Sequence, residues 1–106
     1  MYEIKQCEMV LNKHGVITSF SCIEPFPYIV VEAKTVCSNE LGQNILQLLN
    51  GFYQHHSVDM PNRLVIQASG LDQYKLLNQG SIVGLSLTSD YLEEFVSFTN
   101  YLKGVI

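Results

Sequence analysis

Ser38-Asn39-Glu40-Leu41-Gly42-Gln43-Asn44-Ile45-Leu46-Gln47-Leu48-Leu49 reads as the opening of an amphipathic helix. Ser38 or Asn39 can accept a backbone N–H at the helix start, and Glu40 falls in the first turn, where negative charge is favoured. Leu41, Ile45, Leu48, Leu49 and Phe52 then recur at helical spacing and form one apolar stripe. The helix is expected over residues 39–53. Gly42 lies in its first turn, and Gly51 weakens its end by roughly 1 kcal/mol relative to Ala.

Upstream of this helix the sequence reads as β structure. Residues 28–33 are β-prone and almost continuously apolar, as expected of a central strand. Pro25 and Pro27 force an extended bend before it. Residues 2–11 alternate loosely and suggest a first strand, with residues 16–23 as a second. A tight turn at His14-Gly15 would join them, Gly tolerating positive φ. That register sets Leu11 opposite Thr18, Met9 opposite Phe20 and Cys7 opposite Cys22, with Cys7, Met9, Leu11, Phe20 and Cys22 on one face. The two cysteines are expected as reduced core neighbours, with a disulfide as the alternative.

Downstream, residues 55–62 form a polar connection closed by Pro61, and residues 63–68 a short strand. Gly70 and Asp72 introduce a short helix carrying Tyr74, Leu76 and Leu77, which Gly80 ends. Residues 81–88 alternate as a strand, with Ile82, Leu85 and Leu87 buried and Gly84 marking a bulge. Asp90 and Glu93 form a capping box for a last helix whose inner face carries Leu92, Phe95, Val96, Thr99 and Leu102. Lys103 and Gly104 close it. The expected order is β-β-β-α-β-α-β-α. It specifies an α+β fold: one two-layer domain over residues 1–106, with a mainly antiparallel sheet and helices on one face.

Composition narrows the function. Hydrophobic residues make up 47 % of the 106 residues, enough for an unstapled core. Charged residues are only 15 %, against about 25 % in typical domains, which leaves a weakly charged surface that a partner could cover. The net charge is −4, and the six basic residues are dispersed. Nucleic-acid binding needs a clustered basic footprint, so it is not expected, whereas a basic protein partner is favoured by steering. Three cysteines without Cys-x-x-Cys spacing, no signal-like N-terminus and no apolar run long enough for a bilayer suggest a cytoplasmic protein.

No catalytic or metal signature stands out, and no cofactor is expected. His55 and His56 are adjacent and lack further ligands at metal-binding spacing, so they read as solvated residues at a helix end. His14 reads as a turn residue. Cys37 precedes the long helix, where a thiol pKa falls, but its neighbours make no catalytic motif. Phosphate-binding glycine loops are absent. Glu93 and Glu94 read as a solvated acidic face. The six tyrosines lie at element ends or boundaries, suited to the rim of the core or to an interface.

Over residues 29–88 the chain resembles immunity proteins of bacterial contact-dependent growth inhibition systems. The resemblance is carried by Ser38-Asn39-Glu40-Leu41-Gly42, by the apolar residues Ile45, Leu46, Leu48 and Leu49, and by Leu71-Asp72-Gln73-Tyr74-Lys75-Leu76-Leu77. It implies a non-enzymatic cytoplasmic antitoxin, monomeric within a heterodimer, that occludes the cleft of a cognate toxin C-terminal domain. Many such toxins are nucleases with basic grooves, which an acidic inhibitor would complement. The expected toxin contacts are Asp72, Tyr74, Asp90, Tyr91, Glu93 and Glu94, at predicted helix starts where charge is exposed. The rival expectations are a self-associating adaptor domain and a small ligand-binding or enzymatic domain, for which Cys37 or His55 would matter.

Overall fold

The N-terminal segment is a helix, not a strand. In the computed structural model, which describes residues 2–22, 26–32, 45–68, 73–82 and 88–104, α1 spans Tyr2–Lys13. Ile4, Cys7, Val10 and Leu11 are its buried residues, at helical spacing, while Met9, which alternation would place beside Cys7 and Leu11, is exposed. The expected hairpin is therefore replaced by a helix C-terminus. Gly15 does adopt positive φ, 85°, but as a helix terminator. Gly15 N–H donates to Asn12 O at 3.1 Å and Val16 N–H to Leu11 O at 3.0 Å, the two bonds of a Schellman motif. Val16 and Leu11 are both buried, which supplies its apolar contact. Cys7 is a free buried thiol, so it forms no bridge to Cys22.

Strand β1 (Thr18–Cys22) pairs antiparallel with β2 (Tyr28–Glu32), with an irregular step between Thr18 and Phe20. Helix α2 (Ile45–Tyr53) carries the expected stripe, with Ile45, Leu48, Leu49 and Phe52 buried. Its expected opening at residues 38–44, together with Cys37, lies outside the described residues. A 3₁₀ turn (Met60–Asn62) with Pro61 near its start then leads into β3 (Leu64–Ala68).

Residues 73–78 form strand β4 (Gln73–Asn78), not the expected short helix. Leu76 pairs with Ile29 on one side and Ile66 on the other, so β4 is an interior strand. Leu76, Leu77 and Asn78 are all buried. Burial on both faces leaves no alternation, and that is why the segment mimicked a helix. Gly80 lies within a short helix α3 (Gln79–Ile82) instead of ending one. Residues 81–88 are thus not one strand: Ser81 and Ile82 are helical, and Thr88 begins α4 (Thr88–Gly104). Residues 83–87, with Gly84, lie outside the described residues. Asp90 falls inside α4, so it is not the capping residue.

The described strands make one antiparallel sheet in the order β1-β2-β4-β3. Ile29, Val31, Leu64 and Leu76 face a single apolar cluster. Helix α1 contributes Ile4, Cys7, Val10 and Leu11 to it, α2 its whole stripe, and α4 Phe95, Phe98 and Leu102. The α+β class with a mainly antiparallel sheet is as the composition and element count imply. The buried face of α4 is rotated from expectation: it runs through Tyr91, Phe95, Phe98 and Leu102, while Val96 is exposed. Among the described residues no helix is long and apolar enough to cross a membrane.

Candidate functional site

Rotation of α4 turns Glu94 inward. Its side chain is only 4 % exposed, although it carries a carboxylate. Burying such a group is costly unless hydrogen bonds replace its water. Two donors do so, one from the last residue of α2 and one from the chain just beyond it. Tyr53 Oη donates to Glu94 Oε2 at 2.5 Å, and His56 Nε2–H donates to Glu94 Oε1 at 3.0 Å. Tyr53 Oη in turn accepts the Leu64 N–H at 2.7 Å, at the start of β3. One phenol therefore joins α2, β3 and α4. Burial, followed by the Glu94 hydrogen bond, pushes the Tyr53 hydroxyl far above its ordinary value of 10.0.

Rings hold the cluster in place. The His56 imidazole stacks on Phe52 with centroids 4.4 Å apart and planes inclined by 17°. Phe52 also meets Phe98 at 5.3 Å and Tyr101 at 5.4 Å. The Arg63 guanidinium lies over the Tyr53 ring, 5.0 Å from its centre. His56 is thus not the solvated residue that its sequence suggested: packing against Phe52 and the bond to Glu94 fix its ring. His55, by contrast, is exposed. His14 does more than turn the chain, because its Nε2–H donates to Leu102 O at 2.9 Å. That carbonyl lies in the last turn of α4, where intrahelical partners run out.

Chemically, the carboxylate, imidazole and phenol bind one another and bind the fold together. Among the described residues no three His, Cys, Asp or Glu side chains come together to hold a metal ion. Cys7 is buried beside Thr99, and burial pushes its thiol up from 9.0 to about 12, the opposite of an activated nucleophile.

Among the described members of the six expected contact residues, exposure differs. Glu93 is exposed on α4, whereas its neighbour Glu94 is buried, so the solvated acidic face predicted for the pair is formed by Glu93 alone. Tyr91 is 3 % exposed, with its hydroxyl close to Gly80: a Cβ there would sit 2.3 Å from that oxygen. Tyr74 is half-buried against the core. Asp90 lies in the first turn of α4, and Asp72 lies outside the described residues. Sequence reasoning missed Tyr53, His56 and Arg63 as a group. The signal available was the α4 spacing Tyr91, Phe95, Phe98, Leu102, which places Glu94 beside Phe95 on the inner side.

A different surface is open. Glu93, Val96, Asn100 and Lys103 recur along the exposed side of α4. The last three line one wall of a groove of about 370 Å³, whose other wall is α1 with Tyr2, Glu3 and Gln6. Tyr2 is 73 % exposed at its rim. Comparisons of the chain with protein-family models, with curated proteins and with solved structures each returned no match.

Proposed function

We propose that this protein is a binding protein of the immunity type, which neutralises a cognate, basic toxin domain by covering its active cleft. The observation that carries the reading is the α1–α4 groove. It presents the exposed Tyr2 and the exposed Val96 on two helices anchored by a common core, and the exposed acid Glu93 lies earlier on α4, outside the groove lining. Tyrosine supplies contact area at low entropic cost, and a rim carboxylate steers a basic partner. The resemblance carried by residues 38–42 and 71–77 points the same way. Meanwhile, the Glu94, His56 and Tyr53 side chains are engaged with one another in joining α2 to α4.

The test is binding and protection with the C-terminal domain of a large exoprotein encoded beside this chain's gene. Co-expression is expected to restore growth of cells making that domain, and calorimetry to give a one-to-one complex. Tyr2→Ala and Glu93→Lys are each expected to weaken the complex about tenfold or more, the loss typical of an interface hot spot. A neighbouring toxin domain that this chain neither binds nor neutralises would overturn the reading. Unchanged affinity in both variants would move the interface away from this groove.

A further inference from the structure

Buried polar groups in folded proteins are nearly always hydrogen-bonded, so those left over mark places to look. Among the described residues four such side-chain atoms have no partner: Ser21 Oγ, Arg63 Nε, Asn78 Oδ1 and Ser81 Oγ. Three of the four lie at one junction, where β3 begins and β4 runs into α3. Leu64 pairs with Asn78 there, and Gln79 N–H donates to Arg63 O at 2.8 Å. The 3₁₀ turn packs directly on α3 at the same place.

Arg63 is the charged member of the junction. Its guanidinium lies over the Tyr53 ring, and among the described residues no carboxylate comes within ion-pairing distance of it. The ring beneath it is immobilised, since Tyr53 Oη both donates to Glu94 and accepts from Leu64 N–H. An arginine stacked on a fixed ring is already oriented, so little freedom is lost when an anion pairs with it. Two large apolar side chains stand exposed on the elements that meet here: Met60, 52 % exposed, on the 3₁₀ turn, and Ile82, 47 % exposed, on α3. Exposed apolar side chains on the elements that adjoin an arginine without an ion-pair partner have the composition of a protein-contact surface.

We infer that this junction is a protein-contact surface for an acidic–aliphatic segment of a partner, with Arg63 as the anchor for its carboxylate. Charge complementarity selects the occupant: a guanidinium with no ion-pair partner among the described residues matches a carboxylate, and the exposed Met60 and Ile82 on the adjoining elements match aliphatic neighbours. The surface lies on different elements from the α1–α4 groove, and the inference stands without the toxin reading.

The test uses the intact protein and two blocked peptides, acetyl-Leu-Glu-Leu-amide and acetyl-Leu-Gln-Leu-amide, followed by NMR. The Glu peptide is expected to shift the Arg63 side-chain N–H signals and the Met60 and Ile82 methyl signals at millimolar concentration. The Gln peptide is expected to bind at least about tenfold more weakly, because it lacks the charge. Arg63→Lys keeps the charge but loses the planar fork, and it is expected to weaken the Glu peptide about threefold or more. Each variant is accepted for titration only when its amide spectrum matches that of the folded protein. Equal responses to both peptides, shifts confined to other surfaces, or an unaltered response in Arg63→Lys would each overturn the inference. Concentration-dependent shifts of the same signals without peptide would assign the surface to a second copy of the chain and overturn it too.

Discussion

The two halves of α4 are held by different physics. Its C-terminal half packs Phe98 and Leu102 into the apolar cluster with α1, and a directional bond runs from His14, just past the end of α1, to Leu102 O. Its N-terminal half is held by Glu94 on Tyr53 and His56, and by Tyr91 against Gly80. Those contacts have fixed partners and fixed directions. A carboxylate buried at the N-terminal half adds little net stability once its desolvation is counted, yet it admits only one placement of the helix. The C-terminal half is held mainly by apolar burial, whereas the N-terminal half adds to the buried Phe95 a set of directional polar contacts that favours one register.

The largest expected effect therefore lies at the apolar half. Phe98→Ala should lower unfolding free energy by about 3–5 kcal/mol, through lost burial and the cavity left behind. Urea denaturation measures this, and a loss smaller than that of any polar-half variant would break the comparison. Gly80→Ala should cost about 1–3 kcal/mol, since its Cβ would meet Pro61 O at 3.0 Å as well as Tyr91 Oη. Gly51→Ala is the control: its Cβ meets only the tip of the Tyr101 side chain, which can swing away, so its effect should be clearly smaller.

Tyr53→Phe should cost about 1–3 kcal/mol, because it deprives both Glu94 and the Leu64 N–H of a partner. Near-wild-type stability in that variant would mean that the polar half is dispensable.

Alkaline pH gives a gentler probe. The Cys7 and Tyr53 groups both have folded pKa values above their ordinary ones, so the unfolded chain loses these protons first. Stability should then fall as pH rises above about 9 for Cys7 and above about 10 for Tyr53, by at most ~1.4 kcal/mol per pH unit for each group. The Cys7 contribution should level off near pH 12. Cys7→Ala and Tyr53→Phe should each remove one component of the slope in denaturation series at rising pH. Smallest of all, Glu93→Ala should leave stability within about 0.5 kcal/mol, as expected of an exposed position.

The same contrast explains what could be read from sequence. The α2 stripe was legible because Ile45, Leu48, Leu49 and Phe52 lie on one side of a helix packed on one side. Helix α1 was misread because Cys7, Met9 and Leu11 also satisfy a two-residue period, and only the exposure of Met9 in the fold decides between the two. Strand β4 was misread because an interior strand buries neighbouring residues. The Tyr53, Glu94 and His56 cluster was legible only in part. The spacing of Tyr91, Phe95, Phe98 and Leu102 turns Glu94 inward, but its two partners lie 41 and 38 residues away in sequence, and no local pattern pairs them with it.

The strand order also sets an order of assembly. β1 with β2, and β3 with β4, join segments close in sequence, whereas the central seam between β2 and β4 must bring Glu32 beside Gln73 across the whole of residues 33–72. Closing that loop costs chain entropy before the seam returns any contact. The two ribbons can therefore form before the seam that joins them, and the packing of α1 on α4 closes a longer stretch of chain still.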